Sequence, residues 1–233
     1  FPGYLAYAGV SGATGVRVPL RGGEHDLDAM AAAVTGRTRA IILCSPNNPT
    51  GAAISREDLE AFLDKVPAEV LVILDEAYVE FADPTFAPFI AKNRENLVVL
   101  RTFSKAYGLA GLRAGYAFGK AVRVIKKAQT PFQINSLGQV ACLASLKARE
   151  ELDARVGETV AEREWLRARL AELGHDVPPS QGNFLWLPTD RSAELAAALE
   201  EHAVLTRPQA PYGLRVTVGT REENERFLKA FTA

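Results

Sequence analysis

The chain has 233 residues, of which 48% are hydrophobic, and its formal net charge at pH 7 is −1. Acidic and basic residues are interspersed, so neither a nucleic acid nor another polyanionic surface is indicated as a partner. No apolar run reaches the length of a membrane span and no signal-peptide pattern is present, so we expect a cytoplasmic protein that acts outside the membrane.

The first half of the chain alternates between strand and helix patterns. Helices are predicted over residues 27–34, with Asp26 as the N-cap, and from Ser55, which opens a Ser-Arg-Glu-Asp capping box. This alternation predicts an α/β fold with a mostly parallel sheet and helices on its faces. The predicted strands cover residues 15–20, 41–44, 70–75, 97–101 and 113–118.

The second half predicts a long helical connection followed by a smaller α+β domain. The connection covers residues 120–173, is interrupted at 130–132, and from Glu150 has the charge density of a solvated helix face. We therefore divide the chain into a large domain, 1–135, and a connecting helix with a small C-terminal domain, 136–233. In that small domain, strands are predicted over 183–187 and 214–219 and helices over 192–201 and 222–231.

Lys105 lies in a segment, Thr102 to Arg113, that has small hydroxyl residues before the lysine and glycines after it. A lysine that reacts as a neutral amine needs a partly desolvated pocket with another cation nearby. Arg113, eight residues further on, can supply that charge and also hold a phosphate. On its own, the same pattern also fits an ordinary surface loop.

Two further motifs precede this segment, each at the carboxyl end of a predicted strand. Residues 45–51, Ser-Pro-Asn-Asn-Pro-Thr-Gly, form a turn where open α/β sheets bind ligands, although the same residues also serve simply to reverse the chain. Asp75 ends an all-apolar run, where an isolated buried carboxylate would take up a proton, so it needs a partner or solvent. A pyridinium nitrogen is one such partner.

Together, the three motifs resemble those of the fold-type I pyridoxal-phosphate enzymes, the aspartate aminotransferase superfamily. This resemblance covers nearly the whole chain. A narrower likeness, to the histidinol-phosphate aminotransferases and the related aromatic amino acid aminotransferases, rests on residues 180–186, 205–208 and 213–224. It implies that pyridoxal 5′-phosphate is the cofactor, that an amino group passes between histidinol phosphate or an aromatic amino acid and 2-oxoglutarate, and that the protein is a homodimer.

The resemblance also gives roles to residues of the three motifs. It implies that Lys105 carries the cofactor aldehyde and moves the substrate proton. Asp75 would keep the ring nitrogen protonated, so that the ring withdraws electrons. Asn48 and Tyr78 would contact the phenolic oxygen of the cofactor. We predict Lys105, Asp75 and Tyr78 as the catalytic residues.

Three more residues are implied as cofactor contacts. Thr102 and Arg113 match the phosphate ligands, and Phe1 matches an aromatic residue that stacks on the cofactor ring. In histidinol-phosphate enzymes that residue is commonly a tyrosine, so Phe1 favours the aromatic relatives, although stacking requires only a ring. Complete family members also carry an amino-terminal part with a phosphate-binding glycine loop, which we expect to be missing from this chain.

Three residues of the small domain are predicted to bind substrate. Arg215 interrupts an apolar strand, where an unpaired guanidinium would be costly, and the resemblance implies that it clamps a carboxylate; a structural ion pair is the alternative. Arg207 matches a contact to the phosphate of histidinol phosphate, but a residue in a predicted loop is most often a solvated charge. Asn183 matches a residue near the substrate carboxylate, and a strand-edge amide is the alternative.

Two other functions stay open on the sequence. Threonine-phosphate decarboxylases have a similar pattern, because the same scaffold supports several reactions. Some transcription regulators contain an aminotransferase-like domain, although this chain has no basic recognition helix.

Cysteine and histidine residues do not indicate a metal site. Cys44 and Cys142 are predicted to be buried thiols rather than a disulfide framework. His25, His175 and His202 lack the spacing of metal ligands, so solvent-exposed or helix-capping roles are predicted for them.

Overall fold

The computed structural model of the protein describes residues 3–86 and 94–233. Its larger sheet has the strand order β1-β2-β3-β4, in which the first three strands are parallel and the fourth is antiparallel to β3. The predicted α/β fold with a mostly parallel sheet is confirmed. The four strands are β1 (Ala40–Cys44), β2 (Leu71–Asp75), β3 (Leu97–Thr102) and β4 (Gly115–Phe118).

Side-chain caps begin two of the helices where the sequence predicts them. Asp26 caps α2 by accepting a hydrogen bond from the Ala29 amide at 3.0 Å, and Ser55 caps α3 by accepting one from the Asp58 amide at 3.0 Å. In the described ranges, no helix is both long enough and apolar enough to cross a membrane. The helices are α1 (Gly3–Val10), α2 (Leu27–Ala32), α3 (Arg56–Lys65), α4 (Val122–Ala128), α5 (Ser136–Lys147), α6 (Arg149–Glu172), α7 (Ser192–Glu201) and α8 (Arg221–Phe231).

Helix α3 packs on the large sheet because its apolar residues recur at helical spacing. Leu59 and Phe62 are almost completely buried, in one cluster with Leu43 of β1 and Leu74 of β2. Burying a side chain of this size contributes roughly 1.5–3 kcal/mol. This core therefore holds β1 to β3 together and determines where their carboxyl ends lie.

A second sheet, antiparallel throughout and ordered β5-β7-β6, forms the centre of the C-terminal region. Helix α6 covers it, because Leu166 and Leu170 are fully buried beside Leu185 and Leu214. The predicted division between residues 135 and 136 coincides with the start of α5 and stays a prediction. The strands are β5 (Phe184–Pro188), β6 (Arg207–Gln209) and β7 (Gly213–Thr217).

The structure corrects two strand predictions and adds one helix. Residues 15–20 form no strand, since Pro19 lacks an amide hydrogen and no neighbouring strand in the described part of the chain pairs with them. Arg207, predicted to lie in a loop, begins the edge strand β6, where the following proline is tolerated because one side of the strand makes no ladder bonds. Helix α1 is not predicted by the sequence pattern.

Two predictions about cysteine and histidine residues are also wrong. Cys44 is buried as predicted, but Cys142 is only partly buried. The His25 Nε2 atom lies 3.0 Å from the Cys44 carbonyl oxygen and 3.3 Å from the Cys44 amide nitrogen, so His25 has neither a solvent nor a capping role, and burial lowers its pKa. His202 has the predicted capping role, at the end of α7. Among residues 3–86 and 94–233, no cluster of His, Cys, Asp or Glu could hold a metal ion.

Candidate active site

The carboxyl ends of β1, β2 and β3 bring the three sequence motifs to one edge of the large sheet. Cys44 lies opposite Asp75 in the parallel register, and Asp75 lies opposite Leu100. The turn 45–51, the end of β2 and the segment 102–105 are therefore neighbours. Ligands bind at this edge of open α/β sheets.

Asp75 accepts hydrogen bonds at both of its carboxylate oxygens. The Ala77 amide donates to Oδ1 at 3.0 Å, and the Tyr4 hydroxyl donates to Oδ2. Burial, followed by the charge of Asp75, raises the pKa of Tyr4 well above its ordinary value, so the hydroxyl stays protonated and remains a donor. The sequence does not indicate Tyr4, because α1 has no periodic apolar face that would mark a buried residue.

Aromatic rings connect Lys105 to the second sheet. The Lys105 Nζ atom lies 5.3 Å from the centroid of the Tyr78 ring. Tyr78 is buried and meets Phe184 of β5 edge-on, with 5.0 Å between the ring centroids. The Arg215 guanidinium carbon lies over the Phe184 ring, 5.0 Å from its centroid. Phe184 thus lies between Tyr78, a predicted catalytic residue, and the predicted substrate arginine, a position that the sequence does not indicate.

Arg215 contacts the turn 45–51, which is predicted to bind the cofactor. Its Nη1 atom donates a hydrogen bond to Asn48 Oδ1 at 2.8 Å, while its Nε atom is buried and has no hydrogen-bond partner. Within the described residues, no Asp or Glu forms an ion pair with Arg215, so the structural ion pair considered as an alternative finds no support. A partly buried guanidinium with an unused donor is suited to an anion.

Arg207 lies directly opposite Arg215 in the β6-β7 register. Side chains opposite each other in an antiparallel pair share one face of the sheet, and like charges in that arrangement repel. An anion between the two guanidiniums would relieve that repulsion. Asn183 precedes β5, and its carbonyl oxygen accepts from the Val218 amide at 3.0 Å.

The predicted phosphate ligands are only partly brought together. Thr102 Oγ1 accepts a hydrogen bond from the Ser104 amide at 3.0 Å, which folds the lysine segment back over the end of β3. Arg113 has a left-handed backbone with φ 53°, and its Nη1 atom donates to the Ala110 carbonyl at 2.9 Å. Phe1, predicted to stack on the cofactor, lies outside the described residues.

Gly51 joins the turn 45–51 to residues 180–181, which precede the second sheet. Its φ of +80° favours glycine, and a Cβ atom at this position would collide with the Ser180 side chain. The Gln181 amide donates to the Gly51 carbonyl at 2.8 Å. Gly51 and Ser180, which are 129 positions apart in the sequence, therefore pack directly on each other.

The fold and the site define a class of protein before any relative is considered. One sheet edge presents an amine, a carboxylate and an amide, and a second sheet adds a partly buried guanidinium. This is the arrangement of an α/β enzyme that binds a small cofactor at its strand ends and an anionic substrate beside it.

Comparison with known proteins identifies the family. The family described as "Aminotransferase class I and II" matches residues 1–231, so the chain belongs to that family, as predicted. An aromatic amino acid aminotransferase from Streptomyces avermitilis is 51% identical over 236 residues, which cover 98% of this chain and 66% of that protein. The chain therefore spans just under two thirds of the length of this relative.

Solved structures agree with this assignment. A histidinol-phosphate aminotransferase from Sinorhizobium meliloti, crystallised in complex with pyridoxal 5′-phosphate, matches with a TM-score of 0.89 and 28% identity over 99% of this chain and 67% of that one. An L-threonine-O-3-phosphate decarboxylase from Porphyromonas gingivalis matches with a TM-score of 0.83 and 26% identity over 100% of this chain and 73% of that one. Both likenesses confirm the predicted fold.

Proposed function

We propose that the protein is a pyridoxal-phosphate-dependent aminotransferase that passes an amino group between an aromatic amino acid and 2-oxoglutarate. The observation that carries this proposal is the hydrogen bond between Arg215 and Asn48, which joins the arginine expected to bind substrate to the turn expected to bind cofactor. Membership of the family supports the reaction type. The 51% identity to an aromatic amino acid aminotransferase supports the aromatic donor.

The side chains at the sheet edge have the chemistry that pyridoxal phosphate requires. Lys105 offers a primary amine for the aldehyde, Asp75 a carboxylate for the ring nitrogen, and Thr102 a hydroxyl for the phosphate. When bound, the cofactor supplies an electron-withdrawing ring. Tyr4 would orient Asp75 for its contact, since the tyrosine hydroxyl and the Ala77 amide each hold one carboxylate oxygen.

Lys105 would move the proton of the substrate α-carbon. Contrary to the partly desolvated pocket that the sequence predicts, its side chain is exposed, so its Nζ atom is free to reach a substrate held above the sheet edge. The buried Tyr78 ring, 5.3 Å from that atom, bounds its movement on one side. Arg215 would hold the α-carboxylate with its unused donor, which orients the α-carbon toward Lys105.

Histidinol phosphate is the second candidate donor. The pairing of Arg207 with Arg215 supports it, because two arginines opposite each other on one face of the sheet suit a dianionic phosphate or two separate anions. The 28% identity to a histidinol-phosphate aminotransferase also supports it. Competition between histidinol phosphate, phenylalanine, tyrosine and aspartate as donors in a transamination assay tests which substrate is preferred.

The cofactor site can be tested by reduction. We expect the protein at its natural length to be yellow with bound pyridoxal phosphate, and sodium borohydride should remove the visible band while fixing the cofactor to Lys105. Peptide mapping by mass spectrometry locates the adduct. An adduct on a different lysine, or none at all, contradicts the assignment of Lys105.

A decarboxylase of the threonine-phosphate type is the alternative enzyme. The likeness to the Porphyromonas gingivalis decarboxylase supports it, and an arginine pair would suit a phosphorylated amino acid as well. The two reactions differ in their products. Release of labelled CO₂ from carboxyl-labelled threonine phosphate, without formation of glutamate from 2-oxoglutarate, would favour the decarboxylase.

We also propose that the protein is a cytoplasmic homodimer. Helix α5 buries only Gly138 and leaves four large apolar side chains more than half exposed, and apolar patches of this kind mark interaction surfaces. Both cysteines are free thiols, which suits a reducing compartment. The four exposed side chains, here called the α5 patch, are Leu137, Val140, Leu143 and Leu146.

Two charges placed in the α5 patch are expected to separate the subunits. In the double variant Val140→Lys, Leu143→Lys, each dimer would bury four uncompensated ammonium groups, so the molar mass from light scattering should fall to that of a monomer. Leu205→Lys is the matched control, because Leu205 is 82% exposed and lies outside the patch. A double variant that keeps the mass of the unaltered protein would exclude this face as the interface.

A further inference from the structure

An ion pair between a buried carboxylate and a partly buried guanidinium lies directly behind the candidate active site. Glu76 follows Asp75 and is 1% exposed, and Arg101 precedes Thr102. The Arg101 Nη2 and Nε atoms lie 2.7 Å and 2.8 Å from Glu76 Oε2. Each member of the pair is thus the chain neighbour of a residue predicted to bind the cofactor.

The pair lies at the point where β2 and β3 separate. The Glu76 amide donates to the Leu100 carbonyl at 2.9 Å, the last bond of the β2-β3 ladder. Beyond it, β3 continues to Thr102 alongside β4, while the chain after Glu76 turns into a short 3-10 helix, Val79–Phe81. Because side chains alternate along a strand, Glu76 and Arg101 project from the face opposite to Asp75 and Thr102.

The stability of the fold does not account for this pair. Glu76 is buried and the Arg101 side chain is 25% exposed; desolvation of such a pair often costs as much as the attraction returns, and apolar residues of similar volume often serve as well. Burial raises the pKa of Glu76 although Arg101 acts in the opposite direction, and Glu76 Oε1 is buried without a hydrogen-bond partner. What the pair provides is a fixed geometry: Arg101 contacts Glu76 through two nitrogens and also lies 5.3 Å from the Phe118 ring centroid.

We propose that Glu76 and Arg101 are positioning residues, which fix the spacing between Asp75 and the segment that carries Thr102 and Lys105. This inference rests on the proposed function, since the spacing matters for a cofactor held from both sides. A misplacement of about 1 Å at reacting groups is enough to cost roughly a hundredfold in rate. The pair therefore acts on the reaction without touching cofactor or substrate.

The sharpest test replaces both charges by apolar residues of similar size, in the double variant Glu76→Leu, Arg101→Met. We expect its melting temperature to stay at or above that of the unaltered protein, while kcat falls about thirtyfold or more with little change in substrate KM. The visible circular dichroism of the bound cofactor should change as well, because it reports the orientation of the ring. Unaltered kcat and an unaltered dichroism signal in the double variant would overturn the proposal.

A second measurement uses the cofactor-free protein, so that it does not depend on the proposed function. Amide hydrogen exchange of residues 102–106 should become roughly tenfold faster in the double variant, because the end of β3 loses its anchor. Exchange that stays at the rate of the unaltered protein overturns the positioning role even if the enzyme proves to have another activity. Absence of cofactor from the unaltered protein, with accelerated exchange in the variant, instead overturns the proposed function alone.

Two single variants of Glu76 provide the test if the double variant does not fold. Glu76→Gln retains an oxygen that can accept from Arg101 and should keep kcat within about threefold, whereas Glu76→Ala should not. Leu199→Ala controls for lost stability, because Leu199 is 1% exposed in the core of the small domain. It should lower the melting temperature without changing the dichroism signal. If Glu76→Ala also leaves that signal unchanged, the pair is not a positioning element.

Discussion

Replacement of Asp75 by alanine is expected to lower kcat by a hundredfold or more while cofactor binding is affected far less. The carboxylate matters most when negative charge develops on the substrate carbon, so its loss raises the barrier selectively. Removing one partner of a buried charged contact costs about 3–5 kcal/mol, which corresponds to a factor of more than a hundred in rate. Single-turnover absorbance measurements of the half-reaction with an amino donor provide the test.

Tyr4→Phe is the graded companion to this variant. It removes one donor from the Asp75 carboxylate and leaves the carboxylate in place, so a rate loss of about tenfold is expected. Cofactor affinity, measured by equilibrium dialysis, separates a binding defect from a kinetic one in both variants. Half-reaction rates of Asp75→Ala close to those of the unaltered protein would refute the role of Asp75 in keeping the cofactor ring electron-withdrawing.

The convergence of Asn48, Asp75 and Lys105 could be predicted because each follows an apolar strand. Apolar runs of four to six residues predict buried parallel strands, and parallel strands place their carboxyl ends at one edge. The register that sets Cys44 opposite Asp75 is a consequence of that pattern. The start of α3 could also be predicted, because Ser55 caps the helix at the position that the sequence indicates.

Contacts that depend on tertiary packing could not be predicted. Tyr4 and Asp75 are 71 positions apart, and nothing in the sequence around either indicates the other. Phe184 belongs to an apolar strand, but the strand pattern does not say that its ring contacts Tyr78 and Arg215 rather than core residues. Residues 15–20 show the opposite failure, because local alternation is present but residues 3–86 and 94–233 contain no strand that pairs with them.

The placement of Arg207 has a direct bearing on substrate choice. Arg207 is exposed, as a solvated charge would be, but it lies on a strand and not in a loop. On β6 it faces Arg215 across the strand pair, so the two arginines lie on one face of the small sheet. One guanidinium suffices for the single carboxylate of an aromatic amino acid, whereas histidinol phosphate, whose only anionic group is a dianionic phosphate, has use for both.

Replacing Arg215 by alanine should therefore damage the turnover of every substrate that has an α-carboxylate, including 2-oxoglutarate. A charge-assisted contact of this kind contributes about 1.5–3 kcal/mol, so kcat/KM should fall roughly ten to a hundredfold for phenylalanine and 2-oxoglutarate alike. The Asn48 hydrogen bond is lost in the same variant, and Asn48→Ala measures that part separately. An Arg215→Ala enzyme that keeps the kcat/KM of the unaltered protein for 2-oxoglutarate contradicts the carboxylate clamp.

Arg207→Ala distinguishes the two donors. With histidinol phosphate, loss of a guanidinium that contacts a dianion should lower kcat/KM about ten to a hundredfold, while phenylalanine, whose only anionic group is the carboxylate held by Arg215, should be nearly unaffected. Measuring both donors on the same preparation makes each the control for the other. If the unaltered enzyme prefers phenylalanine and Arg207→Ala leaves kcat/KM unchanged for both donors, histidinol phosphate is excluded as the natural donor. Arg207 then has no part in selecting the donor.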